Sequence, residues 1–152
     1  MKRASLGGRT GTVDAVVGAA ALGCAMTTAR DGLLQAVVGR TTGGRVYTEA
    51  QAKRGKDLYV AKCTQCHGET LRGIEYAPPL TGDAFMDVWM NRPLAELVDK
   101  TQETMPQNAP GTLDRKQATD IVAYILQVNE FPAGDADLSD NADVLKAITI
   151  GK

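Results

Sequence analysis

Hydrophobic residues recur at helical spacing in three segments of the 152-residue chain. In the first segment, small and apolar residues share one face of a helix that opens at Thr48: Ala52, Gly55, Leu58 and Tyr59. The second segment follows Pro93, and its inner face is Leu94, Leu97 and Val98. The third opens at Asp114 and has the longest apolar stripe: Ala118, Ile121, Val122, Ile125 and Val128. The pattern therefore predicts three principal helices.

Polar residues mark where two of these helices begin. Thr48 is followed three residues later by Gln51, and Asp114 is followed in the same way by Gln117. Each pair has the spacing of a capping box, in which the two side chains satisfy backbone amides that lack a partner in the first turn. Pro132 lies just past the third helix, which supports its predicted end.

Glycine and proline residues mark the loops between the helices. Those in residues 68–82 predict a loop, and a short helix is expected at about residues 83–90. The second principal helix should end before Met105-Pro106, because proline disfavours helical geometry in the residue that precedes it. After an acidic stretch, residues 141–150 could hold one short helix and an extended tip. The sequence has no internal repeat and no strand-rich region, so the predicted class is all-α.

Charge is unevenly distributed along the chain. The formal net charge is −1, yet the residues before Arg45 carry five Lys or Arg against two acids, whereas the remainder carries twelve against sixteen. The C-terminal part is therefore acidic. This argues against a nucleic-acid partner and favours docking to a basic patch on another protein.

Residues 1–29 are predicted to be an export signal or leader. A basic start precedes an apolar run at residues 13–26, which is rich in small residues and too short to span a bilayer. Asp14 opposes insertion of that run, so a disordered leader and a misassigned start codon are alternatives. Residues 21–24 are similar to a lipoprotein box with its leucine one place out of position. Lipidation of Cys24 is therefore a further hypothesis, and it would attach the chain to a membrane.

Cys63-Thr64-Gln65-Cys66-His67 is a C-x-x-C-H sequence, the attachment signature of c-type haem. Two thiols three positions apart at a helix end can reach both vinyl groups on one edge of the porphyrin, and the histidine that follows projects toward the iron. The sequence thus predicts one covalent haem c, attached through Cys63 and Cys66 and ligated by His67. Because aromatic residues make up only 5% of the chain, a flat apolar macrocycle would also enlarge a core with few large side chains.

Three other interpretations of this motif remain. A structural zinc site would need a carboxylate, because Cys63, Cys66 and His67 supply three ligands and the chain has no second histidine. A thiol-redox pair normally lies at a strand-to-helix turn in a βαβ unit, which this sequence lacks. The third is chance occurrence of the spacing. Haem attachment is the favoured interpretation.

The second axial ligand of the iron is predicted to be Met105. His67 is the only histidine, which excludes ligation by two histidines of this chain, and methionine is then the expected protein ligand. Two of the five methionines lie in the leader, and two lie in the apolar segment 83–90, where packing is the expected role. Met105 lies on a loop before Pro106, and its alternative role is that of a hydrophobic anchor for the loop.

Residues 46–134 resemble the class I cytochrome c family. In that family the N-terminal helix carries a glycine and an aromatic residue, and it crosses the C-terminal helix at a second aromatic position. Gly55, Tyr59 and Tyr124 match these positions. The resemblance implies an all-α, small cytochrome c fold, whose N- and C-terminal helices cross around one covalently bound haem.

The resemblance also implies further contacts of the haem. A proline-leucine pair follows the haem motif in the family, and the proline carbonyl accepts the N–H of the ligand histidine. Pro79-Leu80 matches this pair, so Pro79 is the expected partner of His67. The family's methionine-proline pair matches at Met105. Trp89 resembles the aromatic residue that contacts a haem propionate, with plain core packing as its alternative.

Three stretches are similar to cytochromes that accompany quinoprotein alcohol and sugar dehydrogenases: residues 105–113, 121–126 and 131–134. This narrower resemblance implies a quinoprotein dehydrogenase as electron donor and a terminal oxidase or another cytochrome as acceptor. The sequence holds a single haem domain and no propeller, so only the electron-accepting half of such a system is expected here.

These features predict a mono-haem electron carrier and not an enzyme. Ligation by histidine and methionine raises the reduction potential, and electrons would then move by outer-sphere transfer through an exposed haem edge. The alternative is a haem enzyme or gas-binding protein with an open sixth position, and a cytochrome subunit of a larger complex would share the carrier's chemistry. The predicted cytochrome c domain at residues 46–134 is periplasmic, and it lies between a flexible linker at residues 30–45 and a C-terminal extension at residues 135–152.

Overall fold

The computed structural model describes residues 40–152, which form six α-helices and one small parallel sheet. The helices are α1 (Glu49–Lys62), α2 (Thr64–His67), α3 (Asp83–Trp89), α4 (Leu94–Thr104), α5 (Arg115–Val128) and α6 (Ala142–Lys146). The strands are β1 (Arg40–Thr41) and β2 (Ile148–Thr149), and a 3₁₀ turn at Thr42–Gly44 follows β1. The all-α class predicted from the sequence is confirmed.

The predicted leader at residues 1–29, with Cys24, lies outside the described residues, as do residues 30–39 of the predicted linker. Within residues 40–152, no helix combines the length and the apolar character that crossing a membrane requires.

Both predicted N-caps are present, but only one capping box is complete. At α5, the Asp114 carboxylate accepts the N–H of Gln117 at 2.8 Å, and the Gln117 side chain accepts the N–H of Asp114 at 3.1 Å. At α1, the Thr48 hydroxyl accepts the N–H of Gln51 at 3.0 Å. The buried Gln51 amide does not return to Thr48 and pairs instead with the backbone of Leu138, accepting its N–H at 2.6 Å and donating to its carbonyl at 3.1 Å.

Helices α1 and α5 cross in backbone contact at Gly55. A Cβ atom on Gly55 would lie 1.7 Å from the carbonyl oxygen of Asp120, so only glycine fits there without separating the helices. Beside this point, the rings of Tyr59 and Tyr124 pack with their centroids 5.5 Å apart at 57°. Arg54 donates to the buried Asp120 carboxylate, with 3.0 Å between Nε and Oδ2. The crossing expected from the sequence is present.

The remaining helices complete the core around α5. Helix α4 packs against α5 through its predicted inner face, and Leu94, Leu97 and Val98 are all buried. Helix α3 adds Phe85 and Trp89, whose ring centroids are 6.4 Å apart. As predicted, α4 ends before Met105, which has an extended backbone.

The two ends of the described chain are packed together, although both lie outside the predicted cytochrome domain at residues 46–134. The Thr42 hydroxyl is buried, donates to the carbonyl of Gly151 and accepts its N–H, both at 3.0 Å. Strand β1 pairs with β2 in parallel, so the flexible-linker prediction is wrong for residues 40–45. The partners of these residues lie more than one hundred positions away in the chain, so no local pattern in the sequence reveals the pairing.

We call residues 135–152 the C-terminal strap. The strap corresponds to the predicted C-terminal extension, and four of its apolar side chains are buried against the rest of the fold: Leu138, Leu145, Ile148 and Ile150. Helix α6 of the strap packs on α4, and β2 reaches β1. The cytochrome-sized unit expected at residues 46–134 therefore continues in the structure from residue 40 to residue 152.

Replacing Gly55 with alanine should destabilise the protein. Helix propensity favours alanine by about 1 kcal/mol, but a Cβ pressed against a backbone carbonyl cannot be relieved by a side-chain rotation. Since the neighbour is backbone, the cost should lie at the upper end of the about 1–3 kcal/mol that is typical of overpacking. After the gain in helix propensity, we expect a net loss of about 2 kcal/mol in the free energy of unfolding, measured by denaturant titration of the haem-loaded protein.

Gly44→Ala is the matched control, since a Cβ there meets nothing within 4 Å. Its effect should stay within about 0.5 kcal/mol, as for an exposed surface position. Equal losses in the two variants would contradict the close crossing.

Candidate haem site

A cleft of about 630 Å³ opens between the end of α1, the loop at residues 68–82, and helices α4 and α5. Its volume lies within the range of about 300–1,000 Å³ that is common for ligand sites. The inner wall is apolar and includes Leu97, Ile121 and Ile125. A flat, mostly apolar ligand therefore suits this space.

The predicted attachment residues come together at one edge of the cleft. Helix α1 ends at Cys63, whose N–H donates to the carbonyl of Tyr59 at 2.8 Å, and the single turn of α2 then carries Cys66 and His67. The N–H of His67 donates to the carbonyl of Cys63 at 2.9 Å, which fixes the turn. Both thiols are free, and all three side chains line the cleft.

The orientation of His67 is set by a backbone carbonyl. His67 is 8% exposed, and its Nδ1–H donates to the carbonyl of Pro78 at 3.0 Å. Since a carbonyl can only accept, this bond fixes the tautomer and leaves the lone pair of Nε2 for a metal. His67 thus presents a preoriented nitrogen donor.

The predicted partner of His67, Pro79, is wrong by one residue. Both prolines line the cleft, but the carbonyl that accepts from His67 belongs to Pro78. The N–H of Leu80 donates to the carbonyl of Leu71 at 2.7 Å, which fixes the turn and leaves the Pro78 carbonyl facing the imidazole. Two adjacent prolines offer two carbonyls, and the sequence alone does not show which one turns inward.

Asn129 holds this loop in place, and sequence reasoning does not single it out. Its Nδ2 donates to the carbonyl of Leu80 at 2.9 Å, and its Oδ1 accepts the N–H of Gly82 at 3.0 Å. Asparagine is common where a helix ends, so its position after α5 signals only a cap. On the other side of His67, the Tyr59 hydroxyl donates to the carbonyl of Gly68 at 2.7 Å.

Met105 lines the same cleft as His67. Helix α4 ends at Thr104, and the extended backbone of Met105 follows directly. Met86 packs against the core, and Met90 is 39% exposed. Among the methionines of residues 40–152, Met105 is the one that lines the cleft. Its role as an axial ligand stays a prediction, which this placement favours.

Trp89 lines the cleft and packs in the core at once. It is 8% exposed, and the Arg92 guanidinium lies 4.8 Å from its ring centroid in a cation–π contact. The contact of Trp89 with a haem propionate therefore remains a prediction, alongside its packing against Phe85.

The two competing chemical interpretations of the cysteine motif find no support. Burial raises the pKa of the Cys63 thiol to about 11, whereas reactive redox thiols have a lowered pKa. Within residues 40–152, no group of three or more His, Cys, Asp or Glu side chains is placed to hold a metal ion, as a zinc site would need.

Comparison with known families decides between haem attachment and chance occurrence of the cysteine motif. The family model described as cytochrome c oxidase, cbb3-type, subunit III matches residues 50–125, which is half of the chain. The matched region contains the C-x-x-C-H motif and Met105. The chain belongs to this family of c-type cytochromes. Membership implies a covalently bound haem c and electron transport through its iron.

Other comparisons add little to the identity of this cytochrome. No curated protein matches it. A solved structure, the sulfane dehydrogenase SoxCD from Paracoccus pantotrophus, is similar with 25% identity and a TM-score of 0.47. That match covers 56% of this chain, which in turn spans 46% of the SoxCD chain.

The residues of the cleft fit haem c. Cys63 and Cys66 would supply the two thiols for thioether bonds, Nε2 of His67 would supply a nitrogen ligand, and the walls are largely apolar. Met105 would supply a thioether sulfur from a separate element of the same cleft. This donor set is the one found in cytochromes c.

A double variant, Cys63→Ser with Cys66→Ser, should lose covalent haem completely, because no thioether bond can then form. Haem staining on a denaturing gel and intact-protein mass measure the loss. The control, Gln65→Ala, changes the exposed residue between the thiols and should keep the haem attached. Covalent haem in the double variant would contradict the assignment.

Proposed function

We propose that this cytochrome is a one-electron carrier whose iron is held between His67 and Met105. The observation that carries the proposal is the shared cleft: the only histidine of the chain and the one cleft-lining methionine of residues 40–152 both face it. When bound, the haem supplies the reversible change between Fe(II) and Fe(III). Ligation by imidazole and thioether favours the reduced iron and raises the potential.

The protein's own contribution is to hold both ligands still. His67 is fixed through the Pro78 carbonyl and the short helix α2, while Met105 follows helix α4, which has about three turns and packs on α5. With the iron held by both side chains, a change of its oxidation state would need little rearrangement of the protein. The bound haem would supply outer-sphere electron transfer through its exposed edge, and no substrate would be transformed.

The proposed donor is a periplasmic dehydrogenase of the quinoprotein class, and the proposed acceptor is a terminal oxidase or another cytochrome. The donor is supported by the similarity of residues 105–113, 121–126 and 131–134 to cytochromes that accompany such dehydrogenases. Export is supported by the leader-like residues 1–29 and by the extracytoplasmic setting in which this kind of haem is normally attached. Membrane association would follow only from lipidation of Cys24.

The charge of the domain supports docking to a basic surface. From Arg45 onward, sixteen acidic residues stand against twelve basic ones. Opposite charges on two partners steer their encounter and raise the association rate.

Met105→Ala should abolish the methionine–iron charge-transfer band of the oxidised protein, lower the reduction potential and open the reduced iron to carbon monoxide. Met90→Ala is the control, because Met90 is partly exposed and does not line the cleft. Optical spectra and a redox titration of both variants measure the effects.

A wild-type protein that is high-spin when oxidised and binds carbon monoxide readily when reduced would overturn the proposal. It would instead favour the alternative, a haem enzyme or gas-binding protein with an open sixth position.

Electron transfer from a purified quinoprotein dehydrogenase should slow as ionic strength rises. Salt screens charges over about 10 Å at 0.1 M, so steering by the acidic surface is lost first. Stopped-flow measurement of haem reduction at several salt concentrations tests this expectation. A rate that is independent of salt would contradict docking by charge.

A further inference from the structure

Helix α4, which leads directly to Met105, is attached to the C-terminal strap at its N-terminal end. The N–H of Ile150 donates to the carbonyl of Arg92 at 2.9 Å, and the N–H of Asn91 donates to the carbonyl of Ile150 at 2.8 Å. Further along, helix α6 packs on α4 with the side chain of Leu145 fully buried. The strap therefore packs on α4 in addition to α5.

A second attachment lies in the C-terminal half of α4 and depends on Arg115. Its guanidinium donates through Nη1 to the Asp99 carboxylate and, at 3.0 Å, to the Gln102 side chain, both on α4. Its Nε donates to the carbonyl of Asp140 in the strap at 3.3 Å. One planar group thus joins α5, α4 and the strap at a point three residues before Met105.

The position of Arg115 is not explained by its own helix. Arg115 is the first residue of α5, where a positive charge is unfavourable beside the helix dipole. Its side chain is only 25% exposed, and its rigid fork of donors serves several acceptors at once, which an ammonium group matches poorly. The side chain is therefore held in place by its contacts with other elements.

Neither Arg115 nor Gln102 nor Asp140 lines the cleft, so Arg115 can affect the iron only through the elements that it joins, of which α4 leads to Met105. We propose that Arg115 is a positioning residue for Met105: by clamping the last turns of α4 to α5 and to the strap, it keeps the Met105 sulfur at the iron. The proposal rests on the proposed function, in which Met105 is the axial ligand.

Displacement of Met105 by added imidazole measures this clamp directly. In oxidised, haem-loaded Arg115→Ala protein, we expect imidazole to bind about tenfold more tightly than in the wild type, which corresponds to about 1.4 kcal/mol. The backbone carbonyl of Arg115, which accepts from Thr119, is unchanged in the variant. Arg115→Lys keeps the charge but loses the planar guanidinium with its several donors, so the imidazole affinity of this variant should be intermediate.

The matched control is Arg54→Ala, which breaks an ion pair between α1 and the strap. Arg54 contacts Asp137 of the strap at 2.6 Å and the buried Asp120, and it lies at the α1–α5 crossing away from α4. This variant should be less stable to denaturant yet bind imidazole as the wild type does. The comparison therefore separates a local effect on Met105 from a general loss of stability.

Asp99→Asn is a second variant in case Arg115→Ala does not fold. It breaks the same ion pair, and the Asp99 side chain is 43% exposed, so the change disturbs the fold less. It should raise imidazole affinity in the same direction by a smaller factor. Unchanged affinity in Arg115→Ala and Asp99→Asn, or an equal increase in Arg54→Ala, would overturn the inference while leaving Met105 as the ligand. A wild-type protein without the methionine–iron band would overturn both the inference and the proposed function.

Discussion

The site depends on the close crossing of α1 and α5 at Gly55. Because a Cβ there would lie 1.7 Å from the carbonyl oxygen of Asp120, the two helix backbones touch and their relative position is fixed. Helix α1 then runs directly to Cys63, while α5 supplies Ile121 and Ile125 to the wall of the cleft. The crossing therefore sets the distance between the attachment thiols and the apolar wall against which the haem must lie.

The two proposed iron ligands are held by separate parts of the fold, and this suits a carrier. His67 depends on local structure: the turn of α2, the Pro78 carbonyl and a loop that Asn129 ties to the end of α5. Met105 depends on a helix that is clamped from two sides by α5 and the C-terminal strap. A ligand set supported in this way would resist displacement, so the iron would change its oxidation state with little movement of the protein.

Local signals in the sequence predicted most of the helices, but the sequence did not predict the long-range contacts. The Asp114–Gln117 capping box and the C-x-x-C-H motif are complete within a few residues, so their geometry follows from spacing alone. The hydrogen bond between Thr42 and Gly151 joins residues that are 109 positions apart, and no sequence pattern near either residue indicates it. The choice of Pro78 as the partner of His67 depends on the backbone course of a loop, which a pair of prolines does not reveal.

The most direct test of a carrier with methionine at the sixth position is proton NMR of the reduced wild-type protein. A methionine bound to low-spin ferrous haem lies in the shielding region of the porphyrin ring current. The account predicts a three-proton methyl resonance, with its neighbouring methylene signals, shifted far upfield of the rest of the spectrum. A reduced protein that lacks these signals and gives the broad, paramagnetically shifted spectrum of high-spin iron would contradict it.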